Sequence, residues 1–179
     1  KYRSFILSFG GSLGAELINE AAVRLIDGIS EKNVKLYFVT GKRYYNDILE
    51  KTKGKDLRNV VLIPYADNMP KLMSACDITV SRAGAIAVSE IMVSGKASVL
   101  IPSPNVTNNH QYHNAMALVN NDAAILIEEK DFTGERLIKE VDNLLANPER
   151  LKILGENAKK MAIYDATERI VNCIGEIVK

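Results

Sequence analysis

Tryptophan is missing from this 179-residue chain, phenylalanine is scarce at four, and cysteine and histidine occur only twice each. Few aromatic platforms and a net charge of +1 leave no footprint for nucleic acid, which is not an expected partner. Cys76 and Cys173 lie far apart and form no C-x-x-C motif, as expected of a chain kept in a reducing compartment. No secretory signal is present, and no apolar stretch approaches the roughly 18 residues that a membrane span needs. The cytoplasm is the expected location. No Met opens the chain and an apolar run begins at Ser4, the pattern expected of a domain belonging to something longer.

What is present is ordinary globular material, 47% hydrophobic and 25% charged, enough for one domain with a single substantial core. Short β-rich runs occur at 4–9, 34–40, 60–63, 78–80, 97–101 and 123–127. Between them, apolar residues recur at helical spacing, as in Leu17, Ala21, Ala22, Leu25 and Ile29, or Leu137, Val141, Leu144 and Leu145. Asp131 is the expected cap of that second helix, and Pro148 sits where another can begin. Two terminal helices are expected at 150–162 and 166–177. Strand alternating with helix predicts an α/β domain, a Rossmann-like doubly wound parallel sheet of six strands spanning residues 1–179.

The connections differ in kind. Those entering strands are charged, whereas those leaving them are rich in Gly, Ser, Asn and small residues: GGSLGA, TGKR, PYADN, SRAGA and PSPNVTNNHQ. Open parallel sheets bind ligands at the carboxyl ends of their strands, where strand order reverses. In a 3-2-1-4-5-6 order that point lies between the loops after strands one and four.

The first loop carries Gly10, Gly11, Ser12 and Gly14, which permit close backbone approach at a helix start, suiting a pyrophosphate. A tight strand-to-helix turn also wants glycine for purely structural reasons. No Lys follows Gly14, so a P-loop is excluded. The second strand ends Thr40-Gly41-Lys42 without an acidic residue, which disfavours NAD and leaves NADP open. Glu90 lies two turns into an otherwise apolar helix. It can pair with Arg82, face solvent, or accept hydrogen bonds from both hydroxyls of a ribose. The segment PSPNVTNNHQYHNA admits three readings: a glycosylation sequon at Asn105, metal ligation by His110 and His113, or recognition of ligand hydroxyls. A cytoplasmic chain would not use the sequon, and two histidines lack the further ligands that zinc requires.

The stretches GGSLGA, PYADNMPKLMSACDITVSRAGAIAVSEI and IPSPNVTNNHQYHNA together resemble the carboxyl-terminal half of the MurG family, over essentially the whole chain. That family moves N-acetylglucosamine from UDP-N-acetylglucosamine to an undecaprenyl-pyrophosphate-linked muramyl-pentapeptide in peptidoglycan synthesis. It has the GT-B architecture, in which two Rossmann-like domains face each other across a cleft. The resemblance implies that this chain is the donor half, lacking the acceptor domain, the general base and the membrane-contacting surface. It implies a diphosphate site at Gly10, Gly11, Ser12, Gly14, Arg82 and Gly84, and a uracil site at Tyr65, Ala66 and Met69. Glu90 would hold the ribose, and Ala85, Ile86, His110, Gln111 and Asn114 would meet the sugar. Some relatives have Gln-Gln where this chain has His110-Gln111.

No D-x-D element occurs in the strand-exit loops, so no metal and no cofactor is expected, and helix N–H groups would stabilise the leaving diphosphate. By itself the chain is expected to bind donor weakly and turn nothing over. Other readings are a donor subunit of another lipid-acceptor UDP-sugar transferase, half of a UDP-N-acetylglucosamine 2-epimerase, or a nucleotide sensor.

Overall fold

The computed structural model describes residues 3–11 and 13–178. Six strands form one parallel sheet: β1 (Ser4–Phe9), β2 (Val34–Val39), β3 (Val60–Ile63), β4 (Ile78–Ser81), β5 (Ala97–Leu100) and β6 (Ile125–Leu126). Their spatial order is β3-β2-β1-β4-β5-β6, the order for which the crevice lies between the loops after strands one and four. Ser4 pairs with Val34 through to Phe9 with Val39, and on the other edge Ile6 to Phe9 pair with Ile78 to Ser81.

Successive residues of each strand enter different cores because side chains alternate across a sheet. Ile6, Leu36, Phe38, Ile78 and Val80 face one side, against Ile18, Leu25 and Ile26 of α1 (Glu16–Ile29) and Leu137 and Val141 of α6 (Gly134–Ala146). Leu7, Phe9, Val39 and Leu100 face the other. There they meet Met73 of α3 (Met69–Ala75), Ile91 of α4 (Ala85–Ser94) and Leu118 of α5 (His110–Val119). The second core also holds Cys76, whose thiol burial pushes up to a pKa of about 12, whereas Cys173 is exposed.

Two expectations are corrected. The last strand is only Ile125–Leu126, because it lies at the sheet edge and pairs with β5 alone, at Val99 and Leu100. Asp131 does not cap α6. It closes a 3₁₀ turn, Glu129–Asp131, and the cap is Thr133, which immediately precedes the helix and accepts from the Arg136 backbone N–H at 3.1 Å.

The remaining helices are α2 (Tyr45–Lys51), α7 (Pro148–Lys160) and α8 (Ala166–Ile177). Helix α7 starts at Pro148, with the Asn147 side chain accepting from the Arg150 N–H at 3.0 Å. Helix α8 leaves Ile170, Val171, Ile174 and Ile177 exposed. No described helix is long and apolar enough to cross a membrane.

Phe38 is fully buried at the middle of the sheet. Phe38→Ala is expected to lower unfolding free energy by about 3–5 kcal/mol, read as a shift in the urea midpoint at unchanged slope.

Candidate functional site

Strand order reverses between β1 and β4, so the loops leaving these two strands diverge around a crevice. A cleft of about 1080 Å³ occupies that place. Its wall holds Gly10, Gly11 and Gly14 from the first loop, and Gly84, Ala85 and Ile86 from the loop after β4. Among the described residues no side chain caps the start of α1 or α4, which leaves the first-turn N–H groups there available to an anion.

The first loop is fixed by contact with its neighbour. Gly14 has φ +79°, and a Cβ there would lie 2.2 Å from the Thr40 carbonyl oxygen at the end of β2. Gly41 answers it with φ +82°, where a Cβ would come within 2.6 Å of the Leu13 carbonyl oxygen. Two backbones therefore touch, which only glycine on both sides permits. Asn19, buried on α1, donates from Nδ2 to that same Thr40 carbonyl at 3.0 Å. Ser12, expected as an extra donor, lies outside the described residues.

Tyr65, Ala66 and Met69 line the cleft from the side of β3. The Tyr65 ring is exposed, with the Lys42 ammonium 5.3 Å from its centroid. Helices α3 and α4 pack together, and Glu90 on α4 lines the same cleft. No hydrogen bond or ion pair engages Glu90 among the described residues, and burial pushes its pKa upward. The ion pair that the sequence allows with Arg82 does not form. Arg82 Nη1 instead donates to Glu129 Oε2 at 2.6 Å and to the Ile101 carbonyl at 3.1 Å.

At the opposite end, Gln111 in the first turn of α5 lines the cleft. Its Oε1 accepts from the Ser103 backbone N–H at 3.0 Å, which leaves the amide NH₂ as a pair of donors. Two residues of the expected sugar site are absent from the cleft wall. Asn114 turns inward and donates to the Ala83 carbonyl at 3.0 Å. His110 is exposed, its Nδ1 donating to the Thr107 carbonyl at 2.9 Å. Asn108 and Asn109 stand at φ 53° and 51°, left-handed positions that asparagine tolerates. Part of the amide content of this segment thus serves the backbone. Among the described residues no group of three or more His, Cys, Asp or Glu side chains could hold a metal.

The sequence reading overlooked Glu129, and it covered Ser103 and Asn105 only within the amide-rich loop; all three line the cleft. The signal for Glu129 was present: the segment leaving the last strand, EEKD, carries three carboxylates, more than any other strand exit.

Residues 5–170 match the model of the glycosyltransferase family 28 C-terminal domain. The chain belongs to that family. A Bacillus cereus protein named UDP-N-acetylglucosamine--N-acetylmuramyl-(pentapeptide) pyrophosphoryl-undecaprenol N-acetylglucosamine transferase 1 is 41% identical over 175 residues, which are 97% of this chain and 48% of the relative. A relative of the same enzyme name from Halalkalibacterium halodurans is 39% identical over the same coverage. The chain thus spans about half the length of the curated relatives it matches. Among solved structures, Acinetobacter baumannii MurG superposes with a TM-score of 0.83 at 27% identity, over 98% of this chain and 50% of that one. A UDP complex of Staphylococcus aureus MnaA gives 0.73 at 14% identity over 98% of this chain and 46% of that one, a likeness of fold alone. The fold of this family 28 domain is accordingly the Rossmann-like half of a GT-B glycosyltransferase.

The raised pKa of Glu90 has a stability consequence in this domain. The folded chain holds the carboxyl proton more tightly than the unfolded chain does. The contribution is therefore fully present below the unfolded value of about 4.3 and is lost as pH rises through the folded value. Glu90→Gln is expected to raise the melting temperature at neutral pH, with the gain vanishing below about pH 4. Thermal melts of both chains across that range check it.

Proposed function

We propose that this chain is the donor-binding half of an inverting glycosyltransferase that moves N-acetylglucosamine from UDP-N-acetylglucosamine to a lipid-linked muramyl-pentapeptide. The observation that carries the reading is the order of chemistry along the cleft. Sheet order runs from Tyr65 and Met69 beside β3, through the glycine loop of β1 and the helix start after β4, to Gln111 and Ser103 beyond β5. Aromatic and apolar groups, free N–H donors and neutral amides follow in the sequence base, diphosphate and sugar. The curated relatives carry the name of that transferase.

In this reading the uracil packs on Tyr65, Ala66 and Met69, and the unpartnered Glu90 carboxylate accepts from the ribose hydroxyls. Gly10, Gly11, Ser12, Gly14 and Gly84 bring backbone N–H groups to the diphosphate, with Arg82 beside them. Ala85 and Ile86 border the sugar, and the Gln111 NH₂ donates to its hydroxyl oxygens. His110 and Asn114 act behind the sugar site, shaping the loop and the seat of α5.

Inversion requires an acceptor hydroxyl to attack the anomeric carbon as the bond to UDP breaks. The departing diphosphate gains negative charge, and pre-oriented N–H groups at the starts of α1 and α4 stabilise it without reorganising. The hydroxyl proton passes to a general base that we place in the other half of the full-length protein. That protein would work at the cytoplasmic face of the membrane, contacting it through the other half.

Calorimetry with UDP, UDP-N-acetylglucosamine, UDP-glucose and NAD(H) tests the proposal. UDP compounds should bind, and Glu90→Ala should weaken them by roughly 10- to 100-fold, the loss of hydrogen bonds to a charged group. Gln111→Ala should remove any preference for UDP-N-acetylglucosamine over UDP-glucose. Binding of NAD(H) without affinity for UDP would overturn the donor-site assignment. Glycosyl transfer by this chain alone would overturn the placement of the base.

A further inference from the structure

Arg82 and Glu129 form an ion pair on the cleft wall that joins the ends of three neighbouring strands. Arg82 follows β4, its Nη1 reaches the Ile101 carbonyl just after β5, and Glu129 stands just after β6. The pair is well covered, with the side chains only 13% and 29% exposed. Coverage matters, because a charge pair shielded from water keeps far more of its interaction than one at the surface. A guanidinium carries five N–H donors, two of them on each Nη. The Ile101 carbonyl and the Glu129 carboxylate occupy both donors of Nη1. No other hydrogen bond engages the Arg82 side chain among the described residues, so Nη2 and Nε keep three donors for a ligand.

Arg82 is also the one cationic side chain lining the cleft among the described residues, against four carboxylates: Glu16, Glu20, Glu90 and Glu129. Glu129 is the carboxylate that touches it.

We propose that Glu129 is a positioning residue for the donor diphosphate: it fixes the Arg82 guanidinium with Nη2 and Nε free, and it tempers the charge that the diphosphate meets. This rests on the donor-site reading above. The two effects oppose each other in affinity. Orientation favours binding, because the guanidinium is held before the ligand arrives. Charge compensation weakens binding, and most strongly for UDP, whose terminal phosphate carries more negative charge than the sugar-linked form. A site that must release UDP after each transfer benefits from that bias.

Two substitutions separate the effects. Glu129→Gln keeps a carbonyl within reach of Nη1 and removes the negative charge. Glu129→Ala removes both. Calorimetric titrations with UDP and with uridine, which lacks phosphate, read the outcome, and a thermal melt confirms that each variant is folded. The Gln variant is expected to bind UDP roughly three- to tenfold more tightly than the unaltered chain, with steeper salt dependence and unchanged affinity for uridine. The Ala variant should bind UDP more weakly than the Gln variant. A Gln variant that binds UDP no more tightly than the unaltered chain overturns the proposal, as do Gln and Ala variants that match each other. If the unaltered chain binds neither UDP nor uridine, it is the donor-site reading that fails, and the role of Glu129 falls with it.

Discussion

Strand β1 pairs in parallel with β2 along one edge and with β4 along the other. Parallel neighbours cannot be joined by a hairpin, so each connection must cross a face of the sheet as a helix. The chain covers one face on its way to β2 and the other on its way from β3 to β4. Where the crossovers change side, the loops leaving β1 and β4 part, and nothing in the sheet fills the gap between them. The cleft is the geometric result of that reversal. Its floor is held by two backbones pressed together at Gly14 and Thr40, with Asn19 bonded to the same carbonyl.

The site built on this floor is sparing with positive charge. Backbone N–H groups at two helix starts provide direction and partial charge, and the one guanidinium on the wall is already matched by a carboxylate. Neutral donors of this kind are rigid because the helices and the glycine contact fix them, so an anion can be held without a mobile lysine. The same restraint appears at the end of the cleft beyond β5. There Gln111 is turned by the Ser103 N–H so that only donors face the cleft.

The parallel sheet was legible in the alternation of strand and helix, and the edge that holds the cleft in the different composition of strand-exit and strand-entry loops. Glu90 stood out as a carboxylate among apolar neighbours, and the family resemblance pointed to Gln111; both line the cleft. Individual side-chain directions were not legible. Asn114 and Gln111 lie on one helical turn of α5, and composition alone cannot say that one turns to the Ala83 carbonyl and the other to the cleft. Asn108 and Asn109 looked like ligand-reading amides and turn out to be residues chosen for left-handed backbone. The partner of Arg82 was hidden because Glu129 is 47 residues away, in the 3₁₀ turn that follows the last strand.

The central placement of β1 also governs how the domain can assemble. Its edge toward β2 is satisfied after a short crossover, yet its other edge waits for Ile78 to Ser81, which lie some seventy residues on. Until β4 arrives, a central strand of the finished domain shows an unpaired, apolar edge to solvent, the kind of surface on which nascent chains aggregate. The Asp77 carboxylate, which accepts from the Phe5 N–H at 2.8 Å immediately before β4, is well placed to fasten that late pairing in register. Collapse of this domain should therefore be slow relative to its helices, with the closing of β4 onto β1 as the committed event.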